Sequence, residues 1–236
     1  MRSGNPALSE STFLDLASGS VVARPDQAMT INGTVNKTGI LLLLTVLTAA
    51  FAWSQSVDAS GLPTSSAMPY TLVGAIGGLV LALVTVFKKE WSPVTAPMYA
   101  LVEGLFLGAI SAMFNAKFPG IVMQAVMLTF GTMFVMLAVY RSGLIKVTEN
   151  FKLGVVAATG GIALLYLASF VLSFFNINVP VIHDASLLGI AFSLFVVVVA
   201  ALNLVLDFDF IETGAAARAP KYMEWYGAFG LMVTLV

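Results

Sequence analysis

Six apolar stretches, 38–54, 68–87, 94–114, 120–140, 153–175 and 185–206, come close to or reach the length that crosses a bilayer. A helix rises about 1.5 Å per residue and the hydrocarbon core is about 30 Å thick, so about 20 mostly apolar residues make one crossing. Inside hydrocarbon each backbone amide must be satisfied within its own segment, and the helix is the form that achieves this. A seventh apolar run, 222–236, is still apolar at Val236; by length it reads as a span begun or as a re-entrant or interfacial segment. The fold class is therefore all-α: a polytopic transmembrane helix bundle with six complete spans plus a seventh begun. Composition agrees, since 59% of the 236 residues are hydrophobic and only 10% are charged, too little polar surface for a domain covered by water.

Residues 1–37 are polar, with Pro6, Pro25 and scattered Ser, Gly and Asn, and hold no uninterrupted apolar core. They read as a largely disordered tail rather than a signal peptide or a span, ahead of one transmembrane domain over 38–236. Basic residues set the orientation, because loops on the cytoplasmic side retain Lys and Arg. With the N-terminus inside, ten of the 11 cations fall on the cytoplasmic side and only Lys117 falls outside. That alternation supports six crossings and a multi-pass protein of the cytoplasmic membrane. The expected outer loops, 55–67, 115–119 and 176–184, are too short to hold an enzyme or receptor domain. The sequons at Asn32 and Asn36 then face inward and stay unmodified.

Several function classes are disfavoured at this stage. Lys and Arg total 11 against 12 Asp and Glu, so no basic surface exists for nucleic acid. Cysteine is absent and His183 is the single histidine, which removes thiol chemistry and makes a histidine metal centre hard to build. No phosphate-cradling glycine loop, nucleophile elbow or zinc-protease motif occurs. No enzyme, no cofactor and no resident metal is expected.

Acids within or beside apolar spans carry the functional question, since each costs about 2.5–3.5 kcal/mol to insert. Glu103 sits about nine residues into the third span, roughly 14 Å from its start, as a proton or cation site or as a carboxyl bonded to a neighbouring helix. Gly104 and Gly108 beside it form a small-residue face for close helix packing. Asp207 and Asp209 close the sixth span. They lie about 200° apart around a helix, so only one can face the interior while the helix persists. Asp207 continues a small and polar stripe through Asn203, Ala200, Val196 and Ser193, whereas Asp209 shares its azimuth with Phe195, Leu202 and Leu206. Asp207 is thus preferred as the interior acid, with a boundary role for both as the alternative. Glu224 opens the seventh run beside Trp225 and Tyr226, where a negative charge suits a helix N-terminus. Lys88, Lys89 and Arg141 are the cations best placed to pair with these acids.

Three runs carry a resemblance: 29–39 (MTINGTVNKTG), 103–108 (EGLFLG) and 205–210 (VLDFDF). From about Met29 onward the chain resembles bacterial members of the Bax inhibitor-1, or transmembrane BAX inhibitor motif, family. The resemblance implies a seven-helix bundle with a central last helix, in the bacterial inner membrane, and a calcium leak that responds to pH. It implies that an aspartate ending the sixth helix shares a proton with an acid in the seventh, closing the pore. The first member maps onto Asp207 or Asp209; the second is expected late in the seventh helix, where the residues up to Val236 supply no acid. Two close carboxylates cannot easily both ionise, which gives such a gate its pH response.

The leading expectation is a pH-responsive calcium or cation leak channel with Asp207 or Asp209 in the gate, Glu103 on or beside the path, and Asn203 and Glu224 as supporting polar groups. Its partners would be the lipid bilayer and calcium or other cations. One alternative is a non-conducting regulator that binds other membrane proteins, such as a protease or stress factor, of a kind found in the family it resembles. Another is a proton-coupled transporter of a small solute, for which Glu103 and the Gly160-Gly161 break would supply the midplane site.

Overall fold

The computed structural model describes residues 27–145, 147–175 and 186–236, with the Arg141 side chain outside that description. Seven α-helices follow one another: α1 (Ile31–Ser56), α2 (Ala67–Phe87), α3 (Ser92–Lys117), α4 (Ile121–Arg141), α5 (Glu149–Ser173), α6 (Leu187–Ala216) and α7 (Met223–Leu235). A 3₁₀ turn, Lys89–Trp91, leads into α3. Among the described residues there is no strand, only isolated bridges at Ala28–Pro220 and Val57–Pro63. Helices α1 to α6 are long and apolar enough to cross a membrane, so this is a multi-pass membrane protein. The seventh, α7, has 13 residues. His183, Asp184 and residues 1–26 lie outside the described residues.

Two helix boundaries differ from the apolar runs. α1 begins at Ile31, so the last residues of the polar segment 1–37 belong to the helix. The reason is a cap: Thr30 is extended and its hydroxyl accepts from the Gly33 N–H at 3.0 Å, giving the helix a start that hydropathy does not record. α6 runs to Ala216, ten residues past Leu206. Asp207 and Asp209 therefore lie inside α6 rather than at its end, because the polar side chains of this stretch find partners on neighbouring helices.

Packing is built on small residues. α1 and α2 both pack mainly on α3, and α7 packs on α1, α3 and α6. Without a hydrophobic drive between helices in lipid, close approach of backbones supplies the attraction. Gly108 of α3 abuts Ala49 of α1 so closely that a Cβ there would lie 2.2 Å from the Ala49 carbonyl oxygen, and one on Gly104 would lie 2.5 Å from that of Thr45. Gly74 of α2 lies equally close to the Phe106 backbone. Gly154, Gly160 and Gly161 of α5 have open space where a Cβ would stand, so the packing reading fits the α2 and α3 glycines and not these.

The short α7 is the most enclosed element. All seven residues from Tyr226 to Met232 are buried, with Phe229 edge-on to Tyr99 of α3 at 5.1 Å. Besides α7, α6 packs on α4 and α5; α4 has no buried residue within its span and α5 few. The lateral surface is dominated by exposed Leu, Val, Ile and Phe side chains, suited to lipid tails.

The glycine contacts separate two substitutions. Gly108→Ala meets backbone that cannot rotate away and should lower stability by about 1–3 kcal/mol. Gly160→Ala meets nothing and gains helix propensity of up to about 1 kcal/mol. Thermal unfolding in detergent should show the first melting several degrees lower than wild type and the second at or above it; equal effects would contradict the packing of α1 on α3.

Candidate functional site

Asp207 lies nine residues before the end of α6 and is fully enclosed, with 0% of its surface exposed. The Thr234 hydroxyl, on α7, approaches its carboxyl as a loose side-chain hydrogen bond, outside strict hydrogen-bond geometry. One turn earlier, Asn203 turns its amide nitrogen to the Thr159 hydroxyl of α5 at 2.8 Å and to the Val199 carbonyl at 2.9 Å. Its own Oδ1 is enclosed without a donor. This polar stripe of α6 therefore faces both α5 and α7.

Asp209 has the opposite environment. Its Oδ2 lies 3.1 Å from Nζ of Lys152, a buried lysine of α5 that also reaches Glu149 at 3.3 Å. Further along α6, Glu212 accepts from the Tyr140 hydroxyl of α4, whose ring packs on Phe208 at 5.7 Å. So Asp209 serves a joint between α5 and α6, while Asp207 is paired with no cation among the described residues. The roughly 200° between them explains the division.

Glu103 belongs to a different interface. It is buried on α3, hydrogen-bonded to Tyr99 one turn back, and its Oε2 would lie 2.8 Å from a Cβ on Gly78 of α2. Through Tyr99 and Phe229 it touches the α3–α7 contact, but it sits between α2 and α3, not beside the α6–α7 contact of Asp207.

Glu224 is enclosed at the first turn of α7, outside the six spanning helices. Its Oε1 accepts from the Thr30 N–H at 2.9 Å, the Thr30 hydroxyl at 2.8 Å and Lys221 Nζ at 2.8 Å, and its Oε2 pairs with Lys37. Burial alone would raise its pKa; the hydrogen bonds from Lys221, Lys37 and Thr30 outweigh burial and hold it at about 2. Gly33 makes room for this carboxyl, since a Cβ there would collide with Oε1. Beside it the Met29 N–H donates to the Ala219 carbonyl at 2.7 Å and the Ser92 hydroxyl to the Tyr222 carbonyl at 2.9 Å. These bonds tie the starts of α1, α3 and α7 together. Lys89, expected to pair with an acid, lies over the Tyr226 ring at 6.0 Å.

The structure thus brings Asn203 and Asp207 together, adds Thr159 and Thr234 to them, and places Asp209, Glu103 and Glu224 in three separate polar clusters. Sequence reasoning missed Lys152, Thr159 and Thr234. Only Lys152 carried a signal, its three-residue spacing from Glu149 on a helix face. Among the described residues no group of three His, Cys, Asp or Glu could hold a metal ion.

A family model described as Bax inhibitor 1 like matches residues 5–236. No curated protein and no solved structure matches the chain.

Removing the Glu224 charge leaves two ammonium groups without their partner. Glu224→Gln should cost about 3 kcal/mol, typical of breaking an enclosed pair, read as a lower melting temperature in detergent. A folded pKa held below the ordinary 4.5 means that the contribution is present above that value and lost as pH falls towards about 2. The gap between wild type and Glu224→Gln should therefore narrow across that window, and a constant gap would contradict the role of the charge.

Proposed function

Because the chain belongs to the Bax inhibitor 1-like family, we propose that this multi-pass membrane protein is a pH-responsive leak for calcium or other cations, with Asp207 as the proton-sensing group. The observation that carries this reading is the enclosure of Asp207 at the α6–α7 contact, where among the described residues no cation pairs with it and the Thr234 hydroxyl approaches it. An acid so placed is compatible with close packing only while it is neutral. Ionising it puts an uncompensated charge into an apolar interface, a state relieved by admitting water or a cation. Rising pH would then bias α6 and α7 towards an open arrangement. On α7 the described side chain that approaches Asp207 is Thr234.

Glu103 and its partner Tyr99 would support the α2–α3–α7 side of the path. Asp209, paired to Lys152, holds α5 and is not the sensor. In this reading the protein sits in the bacterial inner membrane with its N-terminus, and with it the Glu224 cluster, on the cytoplasmic side, as the basic residues at that end support.

The test is cation flux into proteoliposomes, calcium first, at a series of pH values. Wild type should leak more as pH rises, by about tenfold if opening converts a minor state into a populated one. Asp207→Asn, which cannot ionise, should leak at a low level independent of pH, and Asp209→Asn should keep the pH response. Absence of flux at every pH would overturn the leak and leave a non-conducting regulator.

A further inference from the structure

The three residues that lead into α1 lie on the turn between α6 and α7 rather than on their own helix. Ala28 faces Pro220 in an antiparallel bridge, and the Met29 N–H donates to the Ala219 carbonyl at 2.7 Å. Thr30 gives both its N–H and its hydroxyl to Glu224 at the start of α7. Between them the Met29 side chain, 2% exposed, reaches inward. A Cβ on Gly227 of α7 would stand 3.3–3.5 Å from Met29, from Ile211 of α6 and from Thr34 of α1, so this side chain fills the corner where the three helices meet.

The turn under this stretch needs such a cover. At the end of α6 the Arg218 N–H donates to the Ala215 carbonyl at 3.1 Å and the Ala219 N–H to the Gly214 carbonyl at 3.0 Å, a left-handed helix cap. Arg218 takes the left-handed position, at φ 52, where glycine is usual. A side chain persists there when its surroundings hold the backbone. The carbonyl that receives Met29 belongs to the next residue, so the hold falls on the strained turn itself. Gln27 and Thr30, on either side of the buried pair, are exposed. The stretch lies at the rim and can leave without unpacking a helix.

We propose that Ala28–Thr30 is a strap across the α6–α7 joint. Seated, it holds α7 firm against α6; released, it frees the start of α7 and lets the Asp207 contact open. This deepens the leak reading by naming what restrains its gate, and its effect on flux rests on that reading. The seating of the strap is measurable without flux.

The test uses a reversible lock. The chain has no cysteine, so Ala28→Cys with Pro220→Cys supplies the only thiols. Facing residues of an antiparallel pair have Cα atoms about 4.5–5.5 Å apart, within the span of a disulfide. The full-length double variant, oxidised and then reduced with dithiothreitol, compares a locked and a free strap in one protein. Trypsin cuts after Arg218 and Lys221, both beside the strap, and its rate follows how often the joint opens. Cutting, read on reducing gels, should be about tenfold slower in the oxidised protein, and Met29→Ala should be cut about tenfold faster than wild type. In proteoliposomes the pH-dependent flux should fall about tenfold on oxidation and return with reductant.

A pair that does not oxidise would overturn the placement of the strap. Equal cutting of the oxidised and reduced protein would overturn its hold on the joint; that comparison decides even where Met29→Ala fails to fold. Flux that responds to pH and is the same locked or free would overturn its control of the gate and leave the leak standing. Slower cutting when locked, with no flux in either state, would sink the leak and leave the strap.

Discussion

Hydrocarbon offers no water, so each polar group carried into this bundle has to be satisfied by the protein itself. Short hydroxyls are satisfied within their own helix: Thr38, Thr45, Thr85 and Thr159 each donate to the carbonyl one turn back, at 2.7–3.0 Å. Longer groups can also reach a neighbour. Their reach creates joints of the fold: Glu224 between α7 and the start of α1, Lys152 between α5 and α6, and Asn203 between α6 and Thr159, whereas Glu103 and Tyr99 bond one another within α3. Between those joints the helices approach through glycine, alanine and threonine, where van der Waals contact is all that attraction requires.

The same constraint explains what was legible in the sequence. Apolar length alone locates six spans, since a crossing cannot be much shorter or much more polar. Their ends are another matter. The start of α1 depends on the Thr30 cap and on Glu224, which is 194 residues away in sequence, and the continuation of α6 past Leu206 depends on Lys152 and Tyr140 donating to its acids. Local hydropathy contains neither fact. Azimuth was legible only towards the end of the stripe: Asn203 and Asp207 are buried and Asp209 is partly exposed, whereas Ser193 and Ala200 are exposed. Which lysine meets which acid was not, because pairing across helices depends on packing that a single chain read end to end does not state. Glycines divide likewise, since Gly104 and Gly160 look alike in sequence and differ only in whether another backbone arrives.

The two sides of α6 are held by different forces. Towards α7 it meets a helix whose residues 226–232 are all buried, with the Thr234 hydroxyl beside Asp207. Towards α5 it is held by two polar links, Asn203 to Thr159 and Asp209 to Lys152, in a contact that buries few side chains. Asp207 lies between those links along the chain, four residues after one and two before the other. Packed apolar contacts yield little to small displacements, whereas a hydrogen bond or an ion pair can lengthen, take up water and reform. A change of charge at Asp207 therefore acts on a helix with one unyielding neighbour and one held by exchangeable bonds.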